Sequence, residues 1–237
     1  MPVPAEDAGR QRVPWTLADI SFVFAIVFVA LPINLGIFFF LIDVDFGSAP
    51  AFLGVFAVLW YSGTVFFAWL LIMRRRAVSF EQLGFRWKGW GPIVLMIPGT
   101  VVAFVGTTIV LWVTQSFVGD VATAEDQLAI DNAVLGPGDL IWLLLGVAVL
   151  GPIVEELLFR GILYQYLRSK RSVVVAVLIS SIVFSVTHFI PTLLPALFVM
   201  GVFLALAMQI WDSIYPAIVL HMFYNGLVVV FMYASLT

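Results

Sequence analysis

The chain has 237 residues, 63% of them hydrophobic and only 11% charged, with a mean hydropathy of +1.13. A soluble domain carries about 25% charged residues, so this chain cannot cover a water-facing surface. A net charge of -3 without long basic tracts argues against a nucleic-acid partner. The absence of cysteine excludes disulfides, thiolate metal sites and a cysteine nucleophile, while leaving the redox compartment open.

Taken in order, residues 1–16 form a short, mostly polar tail. The apolar run behind them is too long for a cleaved signal peptide and is read as the first membrane span. Seven apolar runs follow one another, at 17–42, 51–73, 90–118, 140–167, 173–190, 193–210 and 214–234. Runs of about twenty apolar residues match a hydrocarbon core of roughly 30 Å. Within lipid only helices or a closed barrel satisfy the backbone, and these runs are continuous rather than alternating. The expectation is an all-α, polytopic helical bundle forming a single membrane domain over 17–237.

The basic residues fix an expected orientation. With the N-terminus in the cytoplasm, Arg10, Arg12, Arg74, Arg75, Arg76, Arg86, Lys88, Arg168, Lys170 and Arg171 all fall inside. The outside loops carry acids only, and the longest of them spans 119–139. A multi-pass protein of a bacterial plasma membrane is expected, with lipids and a peptide or membrane-protein substrate as partners.

Ionisable side chains within a span are costly and are functional candidates by default. Here they are Glu155, Glu156, Arg160, His188 and His221, with Asn225 beside the last. Glu156 and Arg160 are four apart on one helix face and can pair. Glu155 is rotated by about 100° and is free to point into the bundle. Gly151-Pro152, just ahead, weakens the helix and frees backbone groups. His188 and His221, the only histidines, both fall in apolar runs expected to be helical; His221 and Asn225 share a helix side.

Depth brings these residues together. Measured from the cytoplasmic span ends at about 1.5 Å per residue, Glu155 lies near ~18 Å, Glu156 ~16 Å, His188 ~22 Å, Asn225 ~17 Å and His221 ~10 Å. A carboxylate, imidazoles and a carboxamide in one layer can perform hydrolysis. An unpaired, desolvated carboxylate accepts a proton from water, an imidazole orients that water, and imidazole and amide N–H groups stabilise an oxyanion. Equally, a glutamate and two histidines (Glu155, His188 and His221) can hold Zn²⁺ or another divalent metal. The residues alone leave both routes open.

Glu-Glu-x-x-x-Arg (Glu155, Glu156, Arg160), Phe-x-x-x-His (Phe184, His188) and His-x-x-x-Asn (His221, Asn225), in that order on late spans, resemble the CAAX-prenyl-protease and bacteriocin-processing (CPBP, or Abi) family of intramembrane peptidases. The resemblance covers 140–237. It implies a helical membrane fold with a cavity open toward the cytosol. It also implies Glu155 as water-activating base with His188, an oxyanion site of His221 and Asn225, and no required metal in the reading preferred here. Relatives are usually drawn with eight spans where seven are counted here.

Other peptidase classes fit less well. There is no Gly-x-Ser-type nucleophile facing a histidine and no His-Glu-x-x-His. Asp139 in Gly136-Pro137-Gly138-Asp139 reads as a turn and helix N-cap, without a second deep aspartate. Two non-peptidase readings are a catalytically silent scaffold or immunity protein of the same fold, and a proton-coupled transporter. The latter expects repeated halves, and none is seen.

Overall fold

The computed structural model describes residues 12–42, 49–120 and 137–236. Among these, every regular element is a helix, and seven helices follow the seven apolar runs. They are α1 (17–42), α2 (49–74), α3 (Trp90–Val118), α4 (137–170), α5 (Val173–Val186), α6 (Leu194–Trp211) and α7 (Ile214–Leu236). Six contain segments long and apolar enough to cross a membrane, and α5 is a shorter apolar helix.

Two sequence expectations change. The fifth run was expected to be helical to 190, but α5 stops at Val186, so His188 sits on the turn that follows. Asp139 lies within the first turn of α4 rather than ahead of it as a cap. Most of the 119–139 loop, 121–136, falls outside the described residues.

Polar contacts gather several helix ends at one end of the bundle. Thr16 caps α1 in a reciprocal arrangement with Asp19, and Asp19 pairs with Arg76 at the end of α2, 2.7 Å away. Arg86 and Lys88, before α3, reach Asp212 in the α6–α7 turn. Arg168 Nε and Tyr164 Oη, late in α4, both donate to Gln209 Oε1 of α6. The loop between α2 and α3 docks on the same turn, with the N–H of Ile214 donating to Gly84 O at 2.8 Å. Gly84 has φ +91° and a Cβ there would meet Met208 at 2.5 Å, so no other residue fits without strain.

α5 starts at this end and α6 returns to it. Fourteen residues rise about 21 Å at 1.5 Å each, short of the ~30 Å hydrocarbon core. The α5–α6 turn therefore lies at membrane depth. Irregular backbone there is tolerated only where protein or a cavity covers it. Phe189 makes the reversal in left-handed backbone, φ 58°, a conformation that is uncommon for a bulky residue.

The core is apolar and aromatic, centred on Phe159, Phe184, Met200 and Leu204 between α4, α5 and α6. A Cβ at Gly201 of α6 would lie 2.9 Å from Ser181 Cα of α5. Small residues at that crossing let the backbones approach, the usual device of membrane helix pairs.

Candidate active site

α4 carries the two glutamates, and its geometry there is irregular. Wide π-type turns occupy Leu144–Leu150 and Leu157–Tyr164 on either side of the Gly151–Glu156 segment. Such turns recur at functional sites. Glu155 and Glu156, adjacent in sequence, consequently meet different surroundings. Glu156 is fully buried, whereas the Glu155 side chain keeps 24% of its surface accessible.

Glu156 is engaged twice through one oxygen. Its Oε1 takes Arg160 Nη1 at 3.1 Å and His221 Nδ1 at 2.9 Å. Arg160 is likewise fully buried. It donates through Nη2 to Gly201 O at 2.9 Å and sits 4.7 Å over the Phe184 ring, where the ring face favours a cation. The pairing foreseen between Glu156 and Arg160 is present, and it extends to His221, which the spacing alone did not indicate.

Glu155 faces the other way. Its Oε2 is 3.9 Å from His221 Nε2 and has no hydrogen-bond partner among the described residues. His221 therefore stands between the two carboxylates, Nδ1 toward Glu156 and Nε2 toward Glu155.

His188 is held by the end of α5. Its Nδ1 lies 2.8 Å from Phe184 O, one of the carbonyls that a helix end leaves without an intrahelical donor. With Nδ1–H donating there, Nε2 carries a lone pair. Phe184 separates the two imidazoles, its ring 4.8 Å from His188 and 5.7 Å from His221. One turn beyond His221, Asn225 Nδ2 donates to Val147 O of α4 at 2.9 Å.

Glu155, His188, His221 and Asn225 all line one cavity of about 1080 Å³; Glu156 and Arg160 lie behind its wall. The cavity also reaches α1, α2 and α3, and most of its lining is apolar, including Phe28, Trp60 and Phe104. The polar groups form one patch on a greasy wall, the usual composition of a site that binds an apolar ligand and orients it at a few points.

Residues 137–227 match the family model of Rce1-like type II CAAX prenyl endopeptidases. The stretch that carries the site is similar to the CAAX-protease family. Over 91 residues the chain is 34% identical to the membrane-embedded CAAX protease MroQ of Staphylococcus aureus (strain USA300), a match spanning 36% of this chain and 37% of that protein. No solved structure matches. The family region contains all six polar residues singled out above, from Glu155 to Asn225.

One residue that sequence reasoning missed lies outside the CAAX-protease region. Tyr61 of α2 lines the cavity with Glu155, and a Cβ on Gly151 would lie 2.8 Å from its hydroxyl. Gly151 is one helical turn before Glu155, so the absent side chain lets the Tyr61 hydroxyl pack beside the glutamate's helix face. A lone tyrosine in an aromatic-rich span gives no periodic signal, and only the packing reveals it.

Among the described residues no group of three or more His, Asp or Glu is arranged to hold an ion. Both imidazoles are anchored through Nδ1, to Phe184 O and to Glu156, which leaves Nε2 as the ring nitrogen each one offers to the cavity.

Proposed function

We propose that the protein is an intramembrane endopeptidase that hydrolyses a peptide bond with water activated by Glu155. The observation that carries this reading is the division of the glutamate pair. Glu156 is fully buried with Oε1 held by Arg160 and His221, while Glu155 keeps 24% of its side chain accessible and lines the cavity. A carboxylate oxygen that already accepts two hydrogen bonds has less to offer a water than a carboxylate that reaches the cavity.

In this reading a water lies between Glu155 and His188 Nε2. Glu155 accepts its proton as the oxygen attacks the scissile carbonyl carbon. His221, anchored by Glu156 at Nδ1, turns Nε2 toward the oxyanion. The second N–H of Asn225 supplies another donor. Collapse breaks the C–N bond, and Glu155 returns the proton to the departing nitrogen, leaving a carboxylic acid and an amine. No ion takes part.

The substrate in this reading is a peptide or membrane protein whose scissile bond is flanked by an apolar segment, a choice supported by the cavity wall of Phe28, Trp60 and Phe104. The protein works within a bacterial plasma membrane with its N-terminus in the cytoplasm. Profiling of new protein N-termini in membranes from cells producing the wild type or Glu155→Gln tests this. Cleavage products confined to the wild type support the reading; identical N-termini in both contradict it.

A further inference from the structure

Asn225 and Pro152 meet through a single carbonyl. In the π-type turn over Leu144–Leu150, the N–H of Gly151 donates to Gly146 O, five residues back. The next donor in that register, aimed at Val147 O, is the N–H of residue 152. Residue 152 is proline and has none. Val147 O is thereby released from α4's own ladder, and Asn225 Nδ2 reaches it from α7 at 2.9 Å. Val147 and Asn225 both line the cavity, and Pro152 is buried behind them.

We propose that Pro152 is a positioning residue: by leaving Val147 O without a helical donor, it fixes the Asn225 carboxamide so that its second N–H faces the reacting carbonyl. The inference rests on the oxyanion role given to Asn225 above. The terminal torsion of an asparagine is broad, and one hydrogen bond to a rigid backbone oxygen selects a single setting. An unbroken α-helix offers no such oxygen, because its interior carbonyls are already engaged. The wide turn and the proline are both required. With alanine at 152, the restored N–H competes for Val147 O and the carboxamide is held less firmly, even though a carbonyl has two lone pairs.

Pro152→Ala, studied in lipid nanodiscs with ¹⁵N-labelled asparagine, tests the linkage without any turnover. The chain has three asparagines, Asn34, Asn132 and Asn225, and the side-chain signal missing from Asn225→Ala identifies the third. In Pro152→Ala that signal should lose its hydrogen-bonded proton shift and exchange faster with water. In turnover of quenched apolar peptides, kcat should fall about tenfold with KM unchanged, part of the ~10²–10³-fold that losing an oxyanion donor costs. Added to Asn225→Ala, the proline change should cost nothing more. An unmoved Asn225 signal, an unchanged kcat, or effects that multiply independently would overturn the proposal. If the wild type cleaves nothing, the peptidase reading fails while the NMR signal still reports on the linkage. Should the alanine protein fold poorly, Pro152→Ser carries the same N–H and the same expectations.

Discussion

His221 Nδ1 and Arg160 Nη1 converge on the same oxygen of Glu156, at 2.9 and 3.1 Å. This shared acceptor joins α4 to α7 and gives Glu156 two tasks, neutralising a guanidinium and setting the angle of an imidazole. Glu156→Gln should therefore cost both stability and activity. Removing one partner of a buried ion pair typically costs ~3–5 kcal/mol. Thermal unfolding in detergent should show a markedly lower Tm. The double change Glu156→Gln, Arg160→Met, which leaves no guanidinium stranded, should recover part of that stability but not the activity. A double variant no more stable than the single one contradicts this account.

Gly201→Ala tests the α5–α6 crossing. The added Cβ meets Ser181 backbone at 2.9 Å, and the carbonyl of residue 201 is the one that Arg160 Nη2 uses. Forcing a methyl into a packed crossing costs ~1–3 kcal/mol. The expected outcome is a lower Tm together with reduced turnover, since Phe184 rides on α5 and His188 on the turn that ends it. An unchanged Tm shows that the helices separate without strain.

His188→Ala should leave the fold intact, because the side chain is half-buried on a turn and its one hydrogen bond is local. Turnover should fall by ~10²–10⁴-fold, the usual contribution of a positioned acid–base group. Matching Tm values with equal turnover would remove His188 from the mechanism.

Gly151→Ala should displace the Tyr61 hydroxyl, which the new methyl group would meet at 2.8 Å. The expected result is a loss of turnover that Tyr61→Phe, made in the same background, partly relieves by removing the clashing oxygen. Absence of any relief places the effect of Gly151→Ala elsewhere on α4.

The helical class and the number of helices were legible in the sequence because lipid leaves the backbone few options and the apolar runs are long. The motif residues were legible because a charge within such a run has no cheap explanation. Glu155 and Glu156 could be separated by angle alone, and their burial follows that separation. Three features were not legible. α5 ends early, at Val186, although residues 187–190 continue the same run, because the chain turns back where a cavity covers the exposed backbone. The Glu156–His221 contact depends on how α7 packs against α4, which no local spacing encodes. Tyr61 joins the cavity through the missing side chain of Gly151, a space visible only in three dimensions.

The orientation is open to direct labelling, since the chain lacks cysteine. Single cysteines at positions 170 and 125, treated with an impermeant reagent on intact cells, should react at 125 and not at 170, in keeping with basic loops on the cytoplasmic side. The reverse pattern inverts the topology.

The most direct test of the account is turnover by purified protein in proteoliposomes, comparing wild type with Glu155→Gln on a pool of quenched apolar peptides, with and without a divalent-metal chelator. The account predicts cleavage by the wild type that the chelator does not diminish. It predicts none by Glu155→Gln, whose Tm should stay close to that of the wild type because Glu155 Oε2 has no hydrogen bond to lose among the described residues. Loss of wild-type activity on chelation, restored by Zn²⁺, would contradict the metal-free route, and an active Glu155→Gln protein would contradict the central claim itself.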